Sequence, residues 1–287
     1  QIYISRINWA LMLAAIGLVL AFQKPTNLAA AYGVAVTATM AVTTMLFASF
    51  AHERWGWSYA RVSLLAAPLL VIDLAFFAAN IVKVWDGGWF PLAVGLFIFI
   101  LMSTWRLGRR ILSERLTEQG ISIESFLKEL ENERIPRVPG TAIFMSRAAE
   151  GVPTTLLHNI KHNKIVHRRV VLLTVETEDR SHLGEEERFE WTEIGFGVFR
   201  MTLHFGFMED PDIPTVLERL STNEMRFNPM ATSYFLGRET LIPTKRPGMA
   251  IWREHLFAWM MRNSSSASVF FSLPPNQVIE LGAQVEL

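Results

Sequence analysis

PLLVIDLAFFAANIVKV, residues 68–84, decides the fold class. The run is apolar enough to cross a lipid bilayer, yet Asp73 sits near its middle. A hydrocarbon core about 30 Å thick needs roughly 20 apolar residues in helical form. An ionisable side chain at that depth costs at least several kcal/mol, so it is rare and has a partner or a task. Asp73 lies twelve residues after Arg61, about 18 Å up a helix rising 1.5 Å per residue. That is mid-bilayer. Asn80 follows seven residues later, two turns on and on the same side of the helix. One face of this segment is therefore polar and must look into protein or a water-filled cavity.

Outward from it, the pattern repeats. Spans are expected at about 7–23, 26–51, 62–84 and 87–105, with Asp73 the only charge before Lys83 at the end of the third. Buried helices of a soluble bundle would need a charged face, which these lack. Backbone groups in lipid must bond internally, so the runs are helices. Residues 1–116 carry nine Lys/Arg against four Asp/Glu, and residues 117–287 carry eighteen against twenty-three. That shift near 116 separates a membrane part from a charge-rich part. Expected boundaries are 1–116 for the spans, 117–139 for a connector and 140–287 for a cytoplasmic α/β domain.

Orientation follows from the basic residues near the span ends. With the N-terminus inside, Arg6, Arg54, Arg61, Arg106, Arg109, Arg110 and Arg115 are cytoplasmic, and Lys24 and Lys83 are external. The C-terminus is then cytoplasmic. Trp9, Trp55, Trp57, Trp85, Trp89 and Trp105 fall near the interfaces, where indole rings accumulate. There is no cysteine, which excludes disulfides, thiolate catalysis and cysteine zinc sites. The start lacks a basic n-region and a cleavage site, so it is no signal peptide. A first residue other than Met suggests a fragment.

The stretch NLAAAYGVAVTATMAVTT (27–44) is dense in Ala, Gly and Thr. Small residues let membrane helices approach, and Thr hydroxyls such as that of Thr37 can bond across them. This helix is expected inside a bundle. Tyr32 beside Gly33 can instead mark a local break along an ion path. Asp73, Asn80, Tyr32 and Thr37 are the intramembrane polar candidates. For Asp73 two readings stand: a hydrogen bond to Ser, Thr or backbone of a neighbouring helix, or a proton or cation carrier.

Four stretches together carry a family resemblance: QIYISRINWALM (1–12), NLAAAYGVAVTATM (27–40), IDLAFFAANIVKVWDGGWFPL (72–92) and VPGTAIFMSRAAEGVP (138–153). With the ending SVFFSLPPNQVIELGAQVEL, the chain resembles the C-terminal part of the bacterial KUP/HAK/KT potassium uptake permeases nearly end to end. One departure is Ser5, where the family reads YIP. The resemblance implies an amino-acid/polyamine-permease-like bundle of twelve spans, with these four as the ninth to twelfth. It implies K+ uptake, with H+ as the coupling ion, in the inner membrane as a multi-pass protein. No cofactor is implied. The family's potassium ligands lie mainly in earlier spans, so none is assigned here. Asp73 belongs to a peripheral helix of that core, which favours its structural reading. Partners implied are the bilayer and the N-terminal spans of the same permease; an α/β domain behind a transporter can also bind a regulatory nucleotide, as some relatives are thought to, or pair with a second copy as a homodimer.

After the fourth span, residues 106–134 read as a helix leaving the membrane and a connector, ended by Pro136 and Pro139. Strands are expected at 141–147, 168–177, FEWTEI, GVFRMTLHFGF and 232–242. Helices are expected at 153–163, 211–221 and 248–263, the last amphipathic. This makes an α/β domain with a mixed sheet. EIGFGVFR supplies a turn or bulge between strands. His158 and His162 have zinc-compatible spacing, but without H-E-x-x-H they read as a surface pair. No phosphate loop, dinucleotide fingerprint or nucleophile elbow is present. Balanced charge gives no nucleic-acid footprint. The rival to a permease is a membrane-anchored sensor or enzyme whose α/β domain is the working part.

Overall fold

The computed structural model describes residues 3–118, 120–132, 135–146, 151–220, 227–242, 244 and 248–286. Arg147 and Ser221, placed by sequence at the ends of a strand and a helix, lie outside them. The chain divides into two compact units, Gln1–Ser103 and Thr104–Leu287.

The first unit holds helices α1 (Ser5–Phe22), α2 (Pro25–Glu53) and α3 (Tyr59–Ile81), followed by a 3-10 turn at Val82–Val84. Helix α4 (Trp89–Glu118) begins in it and ends in the second unit. All four are long and apolar enough to cross a membrane. Pro25 opens α2, where its missing N–H and fixed φ are no handicap. The helix runs for 29 residues, about 44 Å, so both ends leave the hydrocarbon. Pro68 sits inside α3, a placement membrane helices tolerate. What α2 and α3 bury is small: Ala30, Ala31, Val34, Ala41, Ala51, Val62 and Ala66.

The second unit is built on a six-stranded sheet in the order β3-β4-β2-β1-β5-β6. The strands are β1 (Arg137–Ser146), β2 (Val166–Glu178), β3 (Phe189–Gly195), β4 (Val198–Gly206), β5 (Thr232–Ile242) and β6 (Val278–Glu286). All pairings are parallel except β3 with β4. Those two form a hairpin through Phe196 and Gly197, both with positive φ, the backbone that matches strand twist. Helix α5 (Ile123–Asn132) precedes β1. Helix α6 (Thr154–Asn163) links β1 to β2, and α7 (Ile213–Arg219) lies between β4 and β5. Helices α8 (Ile251–Arg262) and α9 (Ala267–Phe270) come between β5 and β6.

Strand residues alternate between two cores. Ile143, Val171, Leu173, Met201, Leu203 and Phe205 pack with Ile213 and Leu217 of α7. Ala142, Phe144, Val170, Leu172 and Val198 pack with Phe126 of α5 and Leu156 of α6. Burial on both faces explains why VVLLTV reads as a continuous apolar run. Strand β6 is not among the strands expected from sequence; it forms by pairing with β5.

Candidate functional site: the polar contacts of α2 and α3

Asp73 is buried, 6% exposed. Its Oδ2 accepts a hydrogen bond of 2.6 Å from the Thr44 hydroxyl, which ties α3 to α2. Other hydroxyls of α2 turn back on their own helix. Thr37 donates to the Gly33 carbonyl at 2.8 Å, Thr39 to Ala35 at 2.9 Å and Thr43 to Thr39 at 2.8 Å. Thr44 differs because it faces an acceptor on another helix. A carboxylate-hydroxyl bond is charge-assisted and short when the acid is ionised. In an apolar surrounding, losing either partner strands the other.

Asn80 makes the second contact between these helices. Its amide nitrogen donates to the Phe76 carbonyl at 3.0 Å, one turn back. Its oxygen lies 2.7 Å from where a Cβ on Gly33 would stand. Glycine at 33 is therefore an approach point that lets α2 and α3 close. Asp73 and Asn80 both face α2, as their two-turn spacing requires.

An open groove of about 500 Å³ runs beside the Asp73–Thr44 bond. Tyr32, Thr39, Met40, Thr43, Thr44 and Asp73 line it. The structure thus brings Tyr32, itself 72% exposed, to the same groove as Asp73. It does not bring Thr37 or Asn80 there. Helix α2 is unbroken through Tyr32 and Gly33, so the backbone forms no local break there. Thr44 was missed as an individual residue. It closes the Thr-rich run, but nothing local distinguishes it from Thr43; only the register against α3 does.

In the α/β unit the other candidates resolve simply. His158 and His162 stack edge to face on α6, with ring centroids 6.1 Å apart. His167 sits on β2 against the Phe235 ring, and burial lowers its pKa. On adjacent strands, His204 Nδ1 is 3.1 Å from Glu178 and 3.9 Å from Glu176, a cross-strand ion pair when the ring is protonated. Arg188 and Glu209 form a pair at 2.8 Å, 13% and 14% exposed. Burial pushes the Glu209 carboxyl up. Hydrogen bonds from Arg188 and from the Gly206 N–H, with the guanidinium charge, outweigh it and hold the carboxyl below the usual range.

Residues 1–110 match the model of the K+ potassium transporter integral membrane domain. Residues 139–287 match the K+ potassium transporter C-terminal domain. The chain is 50% identical over its whole length to "Probable potassium transport system protein Kup 2" of Rhizorhabdus wittichii, covering 44% of that protein. Identity is also 50% to "Probable potassium transport system protein Kup" of Erythrobacter litoralis, of which it covers 46%, and to that of Myxococcus xanthus, of which it covers 44%. The chain spans less than half the length of these curated relatives. Two domain models in the order and at the boundary that the apolar and charged halves mark leave one assignment: this chain belongs to the K+ potassium transporter family.

Proposed function

We propose that the chain is the C-terminal part of a permease that takes up K+ together with H+ across the inner membrane. The observation that carries this reading is the pair of potassium-transporter domain matches, which together take in nearly the whole chain. The rival of a membrane-anchored sensor or enzyme has no support from relatives that are named as potassium transport proteins. Asp73 serves as a scaffold acid: its bond to Thr44 occupies one carboxyl oxygen and joins two spans. The α/β unit acts on transport by binding a ligand with different affinity in different transport states, the only way a ligand can shift them.

The test of function is rubidium uptake driven by a pH gradient in cells lacking their own potassium uptake. The whole permease should restore uptake, and collapse of the gradient should abolish concentration of the ion. Residues 1–287 alone should not restore it. Uptake that ignores the pH gradient would refute coupling, and rescue by the four spans alone would place the ion site within them. Membrane orientation is tested separately. A membrane-impermeant thiol reagent should label Lys24→Cys and Asp86→Cys in intact cells but leave Glu178→Cys untouched. Labelling at 178 would reverse the topology.

A further inference from the structure

We infer that helix α8 is a membrane-interface helix, whose exposed face inserts into the lipid headgroup layer beside the point where α4 leaves the bilayer. The inference rests on the chain's integral membrane domain, not on the ion transported.

The apolar run of α4 ends at Trp105 and is followed by Arg106, Arg109 and Arg110. Trp at the end of such a run marks the interface. Helix α8 is bolted to this very stretch. Arg253 Nε donates to the Thr104 hydroxyl at 2.9 Å, and Thr104 is fully buried. Phe257, also fully buried, lies edge-on to Trp105 with centroids 5.7 Å apart. Its ring covers Gly108 so closely that a Cβ there would come within 2.5 Å of it. Ile111 completes the contact with Phe257.

These contacts fix a depth. Thr104 to Gly108 spans about 6 Å of helix. The headgroup layer on each side is about 5–7 Å thick, the difference between a ~30 Å core and a ~40–45 Å bilayer. A helix held against that segment lies at headgroup level.

The face that α8 turns away from α4 suits that position. Arg253, Glu254, Phe257 and Ala258 point inward, whereas Ile251, Trp252, His255 and Trp259 are exposed. Trp252 and Trp259 are 57% and 56% exposed. Indole rings left open to water are costly, because the apolar body stays hydrated. In the headgroup layer the ring is buried while its N–H keeps polar partners. Arg262 at the end of α8 and the exposed Arg106 and Arg110 of α4 supply positive charge for anionic headgroups. Helix α8 is apolar on both sides: Phe257 and Ala258 are buried in protein, while exposed Ile251, Trp252 and Trp259 are left for the acyl boundary beside the basic residues. The partner is therefore lipid of the same bilayer.

Site-directed spin labels test this in the whole permease, reconstituted into phosphatidylethanolamine–phosphatidylglycerol vesicles. The described chain has no native cysteine; any elsewhere in the permease is replaced first. Labels go on Trp252→Cys, His255→Cys and Trp259→Cys, with Glu178→Cys as a reference in water. Labels at 252 and 255 should collide with oxygen several-fold more, relative to a water-soluble nickel chelate, than the label at 178. Two results overturn the inference: labels at 252 and 255 as open to nickel as the one at 178, or immobilised labels shielded from both reagents. The second would put protein, not lipid, against α8.

Discussion

The two units of this chain bury opposite kinds of residue. The α/β unit buries Phe144, Phe205, Leu156, Ile143 and Leu173 almost completely. The helical unit buries Ala30, Ala31, Val34, Ala41, Ala51 and Ala66, and turns Leu64, Val71, Leu96 and Phe99 outward, each more than half exposed. In water, burying a large apolar side chain contributes about 1.5–3 kcal/mol, so large residues go inside. In lipid that force is absent, because the solvent is as apolar as leucine. Helices then meet where small residues allow close contact and where a polar pair can be satisfied. Ala-rich α2, Gly33 and the Asp73–Thr44 bond are the lipid version of a core.

The largest expected effect tests the water side of that contrast. Phe144 is stacked on Phe235, with ring centroids 4.5 Å apart. Phe144→Ala should cost about 3–5 kcal/mol, as large cavities do. Leu64→Ala on the outward face of α3 should cost well under about 1 kcal/mol, since lipid refills the space and no transfer to water is reversed. Hydrogen exchange of the β1 and α3 amides in the reconstituted permease measures both. Equal losses would mean that outward leucines of α3 are packed on protein.

Next is the approach of α2 to α3. Gly33→Val places a side chain where the Asn80 oxygen now sits. It should cost about 1–3 kcal/mol by overpacking and reduce the amount of folded permease in the membrane. Asn80→Ala added to it should recover much of that abundance, because the clash is with a side chain. Failure of the second change to rescue the first would mean that backbone, not Asn80, sets the approach.

Most of this fold is legible locally. The spans are, because a long apolar run has no other stable state in lipid. Strand β2 is, because RRVVLLTVET is apolar on both faces. What is illegible depends on partners far along the chain. VIELGAQVE becomes β6 only by pairing with β5; alone it carries Gly282 and two glutamates, weak strand formers. Phe257 on Gly108 joins residues 149 positions apart, and neither neighbourhood announces the other. At the candidate site, Asp73 stands out by its charge, whereas Thr44 is one threonine among five on α2.

An effect of similar size is expected at Asp73 itself. Asp73→Leu strands the Thr44 hydroxyl and should cost about 1–3 kcal/mol, seen as lower membrane abundance. Asp73→Asn keeps an oxygen for Thr44 and removes a charge from an apolar place, which is neutral or stabilising in many proteins. Uptake per permease should persist in the Asn variant. An abundant but inactive Asn variant would make Asp73 the proton carrier, since an amide does not exchange a proton near neutral pH.

The smallest effect belongs to the water-exposed unit and depends on pH. The Glu209 carboxyl is held below its ordinary value of 4.5 in the folded state. A lowered folded pKa contributes stability that is complete above the unfolded pKa and is lost as pH falls through the folded one. The Arg188–Glu209 link should therefore be indifferent to pH from neutral down to about 4.5 and weaken only below it. Glu209→Gln keeps an acceptor for the Gly206 N–H but loses the charge. Its α/β unit should be slightly less stable at pH 7, and its stability should fall less than the parent's between pH 4.5 and 3. Hydrogen exchange of the β4 amides across that range reads it out. Parallel acid curves for parent and variant would show that Arg188 gains nothing from the Glu209 charge. The Asp73–Thr44 bond of the helical unit, by contrast, joins its two helices through a neutral hydroxyl and no cation.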